Sequence, residues 1–241
     1  MITFYAPDIA TSLTLPESES AHVVRVLRRR EGDIVDVIDG RGTRYKCVLV
    51  DAHPKRASVE IVESEHIPLP WQQQITLGIA PTKHLDRMEW LVEKLVEVGV
   101  NRIVPLLCSR SERRELKIER IEKIAVSAMK QSLKAFMPKI EAMTPYVRFI
   151  DELKTAEGQK FIGYCDDSTE RCVMAQEYRP GVDTCILIGP EGDFSPEEVT
   201  QALDAGVRAV TFGENRLRTE TAALYAVTAC HVIDDKCIIN H

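Results

Sequence analysis

The chain has 241 residues, 44% hydrophobic and 28% charged, the balance of an ordinary globular protein with room for one large domain or two modest ones. No stretch approaches the ~20 apolar residues that cross a bilayer, and the opening MITFYAPDIA lacks the basic start and apolar run of a signal peptide, so a cytoplasmic protein with no membrane partner is expected. The formal net charge of −6 excludes a uniformly basic nucleic-acid binder, but not one whose basic residues are segregated.

In chain order, ITFY opens as a strand. Ser18, followed by ESAHVVRVLRR and Gly32, reads as a capped helix with a glycine stop. DIVDVID alternates as a half-buried strand, and Asp39-Gly40-Arg41-Gly42 supplies the positive-φ residues of a hairpin turn. RYKCVLVDA and ASVEIVES continue the pattern, so residues 1–70 are expected to form a small β-rich module, a barrel. HIPLPWQQQ, with Pro68 and Pro70, reads as a linker.

From residue 71 to 241 strands alternate with helices. QITLGIA is a strand. Apolar residues at 85, 88, 91, 92, 95, 96 and 98 follow helical spacing until Gly99. NRIVPLL is the next strand, and a long helix from about Lys117, with Phe136 on its apolar face, is expected to run to Pro138. FIGYC, TCILIGP and VRAVTFG are three further strands. Ser195-Pro196-Glu197-Glu198 carries the N-cap, first-turn proline and capping-box glutamate of another helix. TETAALYAVTACHVI closes the chain as an apolar, mostly buried helix. The alternation implies an α/β fold with a parallel sheet covered on both faces.

Charge is unevenly spread. Between Arg102 and Lys139 ten Lys/Arg face four Glu, whereas from Glu191 onward nine acids face four bases. Arg25, Arg28, Arg29 and Arg30 form a second basic cluster. Such stretches are either solvated helix faces or a polyanion footprint. The seven cysteines include no C-x-x-C pair and no histidine at ligand spacing, so no metal is expected. The apolar neighbours of Cys108, Cys165 and Cys185 suit reduced thiols in a core.

Two loops carry candidate chemistry: Ile188-Gly189-Pro190-Glu191-Gly192-Asp193 and Phe212-Gly213-Glu214-Asn215-Arg216-Leu217-Arg218-Thr219-Glu220-Thr221. Both follow apolar strands, and the carboxyl edge of a parallel sheet is where ligands bind. Read from the residues alone, they are either walls of one pocket for a flat heteroaromatic or two structural turns. Neither is a Walker loop or a G-x-G-x-x-G turn.

GPEGDFSPEEV and FGENRLRTETAALYAV resemble the signature loops of the RsmE family, small-subunit ribosomal RNA methyltransferases of the SPOUT superfamily, which usually read GPEGGFS and LG-x-R-I-L-R-x-E-T-A. SAHVVRVLRRREGD, PTKHLDRMEWLVEKLVEVGVNRIVPL and AMKQSLKAFMPKI resemble three further family segments, in the family's order. Asp193 stands where the second glycine is usual. Asn215 and Arg216 stand where Arg and Ile are common, and Lys130, Leu133 and Lys134 replace Glu and Gly-Arg.

The resemblance implies a PUA-like β-barrel RNA-binding domain over 1–70 and a SPOUT methyltransferase domain with a deep trefoil knot over 71–241. It implies S-adenosylmethionine as cofactor, homodimerisation, and methylation of a uridine at N3 in 16S rRNA, free or within the small ribosomal subunit. Cofactor contacts are then expected at Cys165, Ile188, Gly189, Pro190, Glu191, Gly192, Phe212, Gly213, Leu217, Arg218 and Thr219. Uridine N3 is a poor nucleophile while protonated, so catalysis needs a cation for the developing anion and a base. Arg218 suits the first role and Glu220 the second, although a carboxylate at a helix start also satisfies the macrodipole. RNA contacts are expected at Arg25, Arg28, Arg29, Lys83, Arg87, Arg110, Arg113, Gln131 and Lys134. The rivals are a SPOUT enzyme acting on another RNA atom and a non-catalytic ribosome-assembly factor that binds RNA.

Overall fold

The computed structural model describes residues 2–165 and 170–239. Two compact units emerge. One comprises 1–70 with 126–137, the other 71–125 with 138–241, so residues 126–137, which follow the linker in sequence, group with the first unit.

In the first unit, β1 (Thr3–Tyr5), α1 (Ile9–Ser12) and α2 (Glu17–Ala21) precede a π-helical turn over His22–Val26, then β2 (Ile34–Ile38), β3 (Thr43–Asp51) and β4 (Ser58–His66). The sheet runs β1-β2-β3-β4, with the first pair parallel and the others antiparallel. The free edge of β4 takes up the segment around Thr14 through the Thr14–Ser58 bridge and the Val59 N to Leu13 O bond of 2.9 Å. The observed form is therefore a four-stranded sheet extended by a bridged segment. Phe4, Ile9, Val23, Val35, Val37, Cys47 and Leu49 fill its core. The expected hairpin is present. Gly40 and Gly42 have φ of 73° and 100°, and the Asp39 carboxylate accepts from the Arg41 and Thr43 amides.

The first helix departs from expectation. It opens at Glu17 with Pro16 as N-cap, not at Ser18, and its wound part ends at Val26. Arg28, at φ 55°, turns the chain out of the helix well before Gly32. A π turn inserts residues into the helical ladder, a feature periodicity does not encode.

In the second unit come β5 (Ile75–Ile79), α3 (Leu85–Val98), β6 (Arg102–Leu107), α4 (Ile118–Gln131), β7 (Lys139–Ile140), β8 (Thr144–Pro145), α5 (Tyr146–Thr155), β9 (Gln159–Gly163), β10 (Cys172–Val173), α6 (Met174–Glu177), β11 (Thr184–Ile188), α7 (Pro196–Asp204), β12 (Arg208–Thr211) and α8 (Thr219–Ile239). Helix α4 begins in this unit and ends in the other. The sheet order is β10-β12-β9-β11-β5-β6-β7, every pair parallel, with β8 also on β6. Strands β7 and β8 pair with β6 on either side of Val104 and Pro105, so the ladder breaks beside the residue that lacks an N–H. Leu106, Phe149, Ile162, Leu187 and Phe194 are core residues here.

Helix α3 has the predicted bounds. Gly99 ends it at φ 126°, and a side chain there would strike the Trp71 ring, 2.6 Å from an added Cβ. The second half of the expected linker is thus anchored. The Trp71 indole donates to Asn101 Oδ1 at 3.0 Å, and Gln73 is buried.

Three further expectations are corrected. Helix α4 stops at Gln131, short of Pro138, and Phe136 lies outside it. Leu133 at φ 56° has already redirected the chain, and the Ser132 hydroxyl donates to the Ala128 carbonyl. Cys165 is exposed, whereas Cys108 and Cys185 are buried. Helix α8 buries Ala223, Ala226, Val227 and Cys230 but leaves Tyr225 and Val232 about half exposed, so it is apolar without being wholly covered.

Candidate cofactor site

The parallel register places the two glycine-bearing loops together. Gly163 at the end of β9 is level with Ile188 of β11 on one side and Val210 of β12 on the other. The segments that leave these three strands therefore emerge from one edge, with the loop after β11 beside that after β9. Gly163 is required there, because an added Cβ would meet the Phe212 ring at 2.7 Å.

Two adjoining cavities occupy this edge. The first, of about 440 Å³, is lined by Arg87, Gly163, Cys165, Ile188 to Glu191, Asp193, Arg216 to Glu220 and Ala222. The second, of about 710 Å³, is lined by Tyr164, Cys165, Arg171, Val173, Val210 to Leu217 and Ala222. Small-molecule sites typically span about 300–1,000 Å³. Of the expected cofactor residues, Cys165, Ile188, Gly189, Pro190, Glu191, Leu217, Arg218 and Thr219 border the first cavity, and Phe212 and Gly213 the second. Gly192 borders neither; its carbonyl accepts from Arg110 at 2.9 Å.

The loop after β11 is held from several sides. Ser195 caps α7 and forms the predicted capping box with Glu198. The buried Glu198 carboxylate also accepts from the Ser109 amide at 2.7 Å and the Ser109 hydroxyl at 3.1 Å. Tyr146, its hydroxyl pushed well above the usual tyrosine range by burial and by Glu198, donates to the Glu198 carbonyl at 2.6 Å. Arg110 donates to the Gly192 and Phe194 carbonyls. The Lys83 amide donates to Glu191 Oε1 at 2.9 Å, and Arg113 clasps the Thr82 and Lys83 carbonyls.

Asp193 adopts φ 60°. Its carboxylate accepts from the Phe194 and Cys165 amides at 2.8 and 3.0 Å. Burial, and then the Asp193 charge, raises the Cys165 thiol above its usual value, with Arg171 and Arg216 opposing.

Glu220 is buried in the first turn of α8, with Arg87 at 3.7 Å. Arg218 is exposed beside the cavity and has no ion pair among the described residues.

The residues expected to meet RNA divide between the units. Arg25, Arg28, Arg29, Gln131 and Lys134 belong to the first; Lys83, Arg87, Arg110 and Arg113 belong to the second. In the second group all four have protein partners. The Lys83 ammonium sits 2.8 Å from Glu112, which raises its pKa first by hydrogen bonding. Arg25, Arg28 and Arg29 are exposed and form no ion pair among the described residues.

Sequence reasoning missed Gly163 as a cavity wall, placed Asp193 and Arg216 in the candidate loops without a contact role, and assigned Arg87 to RNA. The glycine inside FIGYC, at the same sheet edge, was the available signal for the first. Among the described residues no group of three or more His, Cys, Asp or Glu is arranged to hold a metal ion.

An RNA methyltransferase domain family matches residues 69–231, and an RNA methyltransferase PUA domain family matches 15–62. A ribosomal RNA small subunit methyltransferase E of Aquifex aeolicus is 30% identical over 95% of this chain and 98% of its own length. A probable rRNA-methyltransferase from Porphyromonas gingivalis, of known crystal structure, is 46% identical, with a TM-score of 0.91 over 98% of this chain and all of that one. A ribosomal RNA small subunit methyltransferase E from Neisseria gonorrhoeae, solved bound to S-adenosyl methionine, is 29% identical, with a TM-score of 0.82 over 97% and 98% of the two chains. The fold is accordingly mixed α/β with a parallel sheet and an N-terminal PUA-type domain, and the chain belongs to the RNA methyltransferase family, in its ribosomal RNA small subunit methyltransferase E branch.

Proposed function

We propose that this protein transfers a methyl group from S-adenosylmethionine to N3 of a uridine in 16S ribosomal RNA. The observation that carries the reading is the convergence of residues 163–165 at the end of β9 with the loops after β11 and β12 on one sheet edge, around cavities of suitable size. The lining fits the cofactor. Ile188, Pro190 and Leu217 offer apolar surface to a flat base, backbone at Gly189 and Gly163 allows close approach, and Glu191 and Asp193 suit a cationic ligand.

The cofactor supplies an electrophilic methyl group on a sulfonium centre. The chain aligns the target nitrogen with it and excludes water, and good alignment alone supplies several kcal/mol of the rate. Arg218, exposed at the cavity, stabilises the negative charge that develops on the uracil oxygens. Glu220, oriented by Arg87, accepts the N3 proton.

Residues 1–70 serve as the PUA-like RNA-binding domain, with Arg25, Arg28 and Arg29 meeting phosphate. Gln131 and Lys134 belong to the same contact set. In the second unit, Lys83, Arg87, Arg110 and Arg113 add positive potential while they hold loops. Residues 71–241 form the SPOUT domain. A trefoil knot there is supported by the entry of β11 between β5 and β9, both laid down earlier in the chain. Homodimerisation is supported by the half-exposed Tyr225 and Val232 on the otherwise apolar α8. The protein acts in the bacterial cytoplasm, where its substrate resides; no helix among the described residues is long and apolar enough to cross a membrane.

Mass spectrometry of rRNA nucleosides with and without the gene tests this reading. Loss of one N3-methyluridine supports it; an unchanged nucleoside profile overturns it.

A further inference from the structure

We propose that Asp193 is a positioning residue of the cofactor site, its carboxylate standing in for the sheet ladder where β9 and β11 have run out. The ladder between these strands ends at the pair Gly163 and Ile188. Beyond it the Tyr164 amide still finds β12, donating to the Val210 carbonyl at 3.3 Å. The next donor that can point toward the loop after β11 is the Cys165 amide, and there is no strand left to receive it. Asp193 Oδ2 receives it instead, at 3.0 Å, while Oδ1 accepts from the Phe194 amide at 2.8 Å.

Two features show that this contact is built. Asp193 holds φ at 60°, a conformation few side chains other than Asn and Asp tolerate well. A glycine, the usual residue of the family pattern here, would take the same backbone without strain but would offer no acceptor. The side chain also lies in the wall of the first cavity, and the residue it pins, Cys165, lines both cavities. The bond therefore fixes one of the residues that the two cavities share. Without it, the Cys165 amide has no acceptor from the loop after β11 among the described residues.

This inference rests on reading the first cavity as the S-adenosylmethionine site, and the experiment keeps the two separable. Asp193→Gly relaxes the backbone and deletes both acceptors; Asp193→Asn removes the charge and keeps one acceptor oxygen for the two amides. Calorimetry with S-adenosylmethionine is run on the full chain alongside hydrogen exchange at the Cys165 amide and thermal melting. We expect Asp193→Gly to bind the cofactor roughly tenfold more weakly, the size of a lost hydrogen bond to a charged group. Its Cys165 amide exchanges fast, while its melting temperature stays near the native value. Asp193→Asn, whose single acceptor oxygen can serve the Cys165 amide, slows that exchange relative to Asp193→Gly and binds the cofactor with an affinity between those of Asp193→Gly and the native chain.

Native affinity in Asp193→Gly overturns the proposal. So does equal weakening in both variants with the Cys165 amide still protected, because the carboxylate would then act by charge alone. If the native chain fails to bind S-adenosylmethionine, the reading of the cavity fails instead. Exchange at Cys165 then decides the latch: protection in Asp193→Gly refutes it, and loss of protection upholds it.

Discussion

Replacing Glu198 with alanine tests how the cofactor loop is held. The carboxylate accepts three hydrogen bonds, from the Ser109 amide, the Ser109 hydroxyl and the Ser195 amide, at 2.7, 3.1 and 2.9 Å. It is also half of the capping box that starts α7. Water can reach the exposed Ser109 once the carboxylate is gone, so each lost bond there is set at about 1 kcal/mol. Loss of the reciprocal cap adds about 1 kcal/mol. The total of about 3 kcal/mol corresponds to a fall in melting temperature of roughly 6–12 °C for a unit of this size. Glu198→Gln, which can still complete a capping box, is expected to lose about a third of that. Circular dichroism melts measure the stability, and calorimetry with S-adenosylmethionine measures the loop, whose affinity is expected to fall in the alanine variant. A Glu198→Ala protein that melts within about 2 °C of native would refute the argument that this carboxylate anchors the loop.

Arg218→Ala should fold normally and lose about 10²-fold or more in methyl transfer, with cofactor affinity changed far less, in a single-turnover assay; a native rate removes the arginine from the chemistry. RNA affinity should fall linearly with log salt, and Arg25→Ala, Arg28→Ala and Arg29→Ala should each reduce the slope by about 1 in filter binding. A flat salt response rejects the basic footprint. Iodoacetamide in the native protein should reach Cys165, Cys172 and Cys237 but not the buried Cys47, Cys108, Cys185 and Cys230. Burial holds the Cys47 thiol up at about 11, with Asp36 adding to the rise, so it stays protonated at pH 8. S-adenosylmethionine should protect Cys165 alone, and peptide mass mapping that finds Cys165 equally alkylated with and without the cofactor places the ligand elsewhere.

The parts of the fold written locally were legible. Gly99 ends α3 because no other residue fits both φ 126° and the Trp71 ring, and Ser195-Pro196-Glu197-Glu198 starts α7 through contacts within one turn. The site's location was legible for a topological reason: in a parallel sheet the carboxyl ends of neighbouring strands share an edge, so two loops far apart in sequence become neighbours. What sequence could not reveal is carried by long-range pairs. Ser109 and Glu198, like Arg110 and Gly192, lie more than 80 residues apart, and nothing in either segment announces the other. The end of α4 was illegible for a different reason. Leu133 takes φ 56° with no glycine or proline to mark it, so the nearest conventional breaker, Pro138, was read as the stop.

The same limit governs the charge count. Ten basic residues between Arg102 and Lys139 suggest an RNA footprint, yet most are committed within the protein. Arg102 serves Glu141 and Glu152, Arg120 serves Glu89, Lys130 serves Glu19, and Lys139 serves Glu141. Arg110 and Arg113 spend their guanidinium groups on backbone carbonyls. A charge already paired adds little to counterion release, because the phosphate must compete with a carboxylate that is in place. Arg114, Lys117 and Lys123, by contrast, form no ion pair among the described residues, and neither do Arg25, Arg28 and Arg29. The salt dependence of RNA binding is therefore expected to come from the uncommitted basic residues of each unit, while Arg110 and Arg113 act on RNA mainly through the loops they hold.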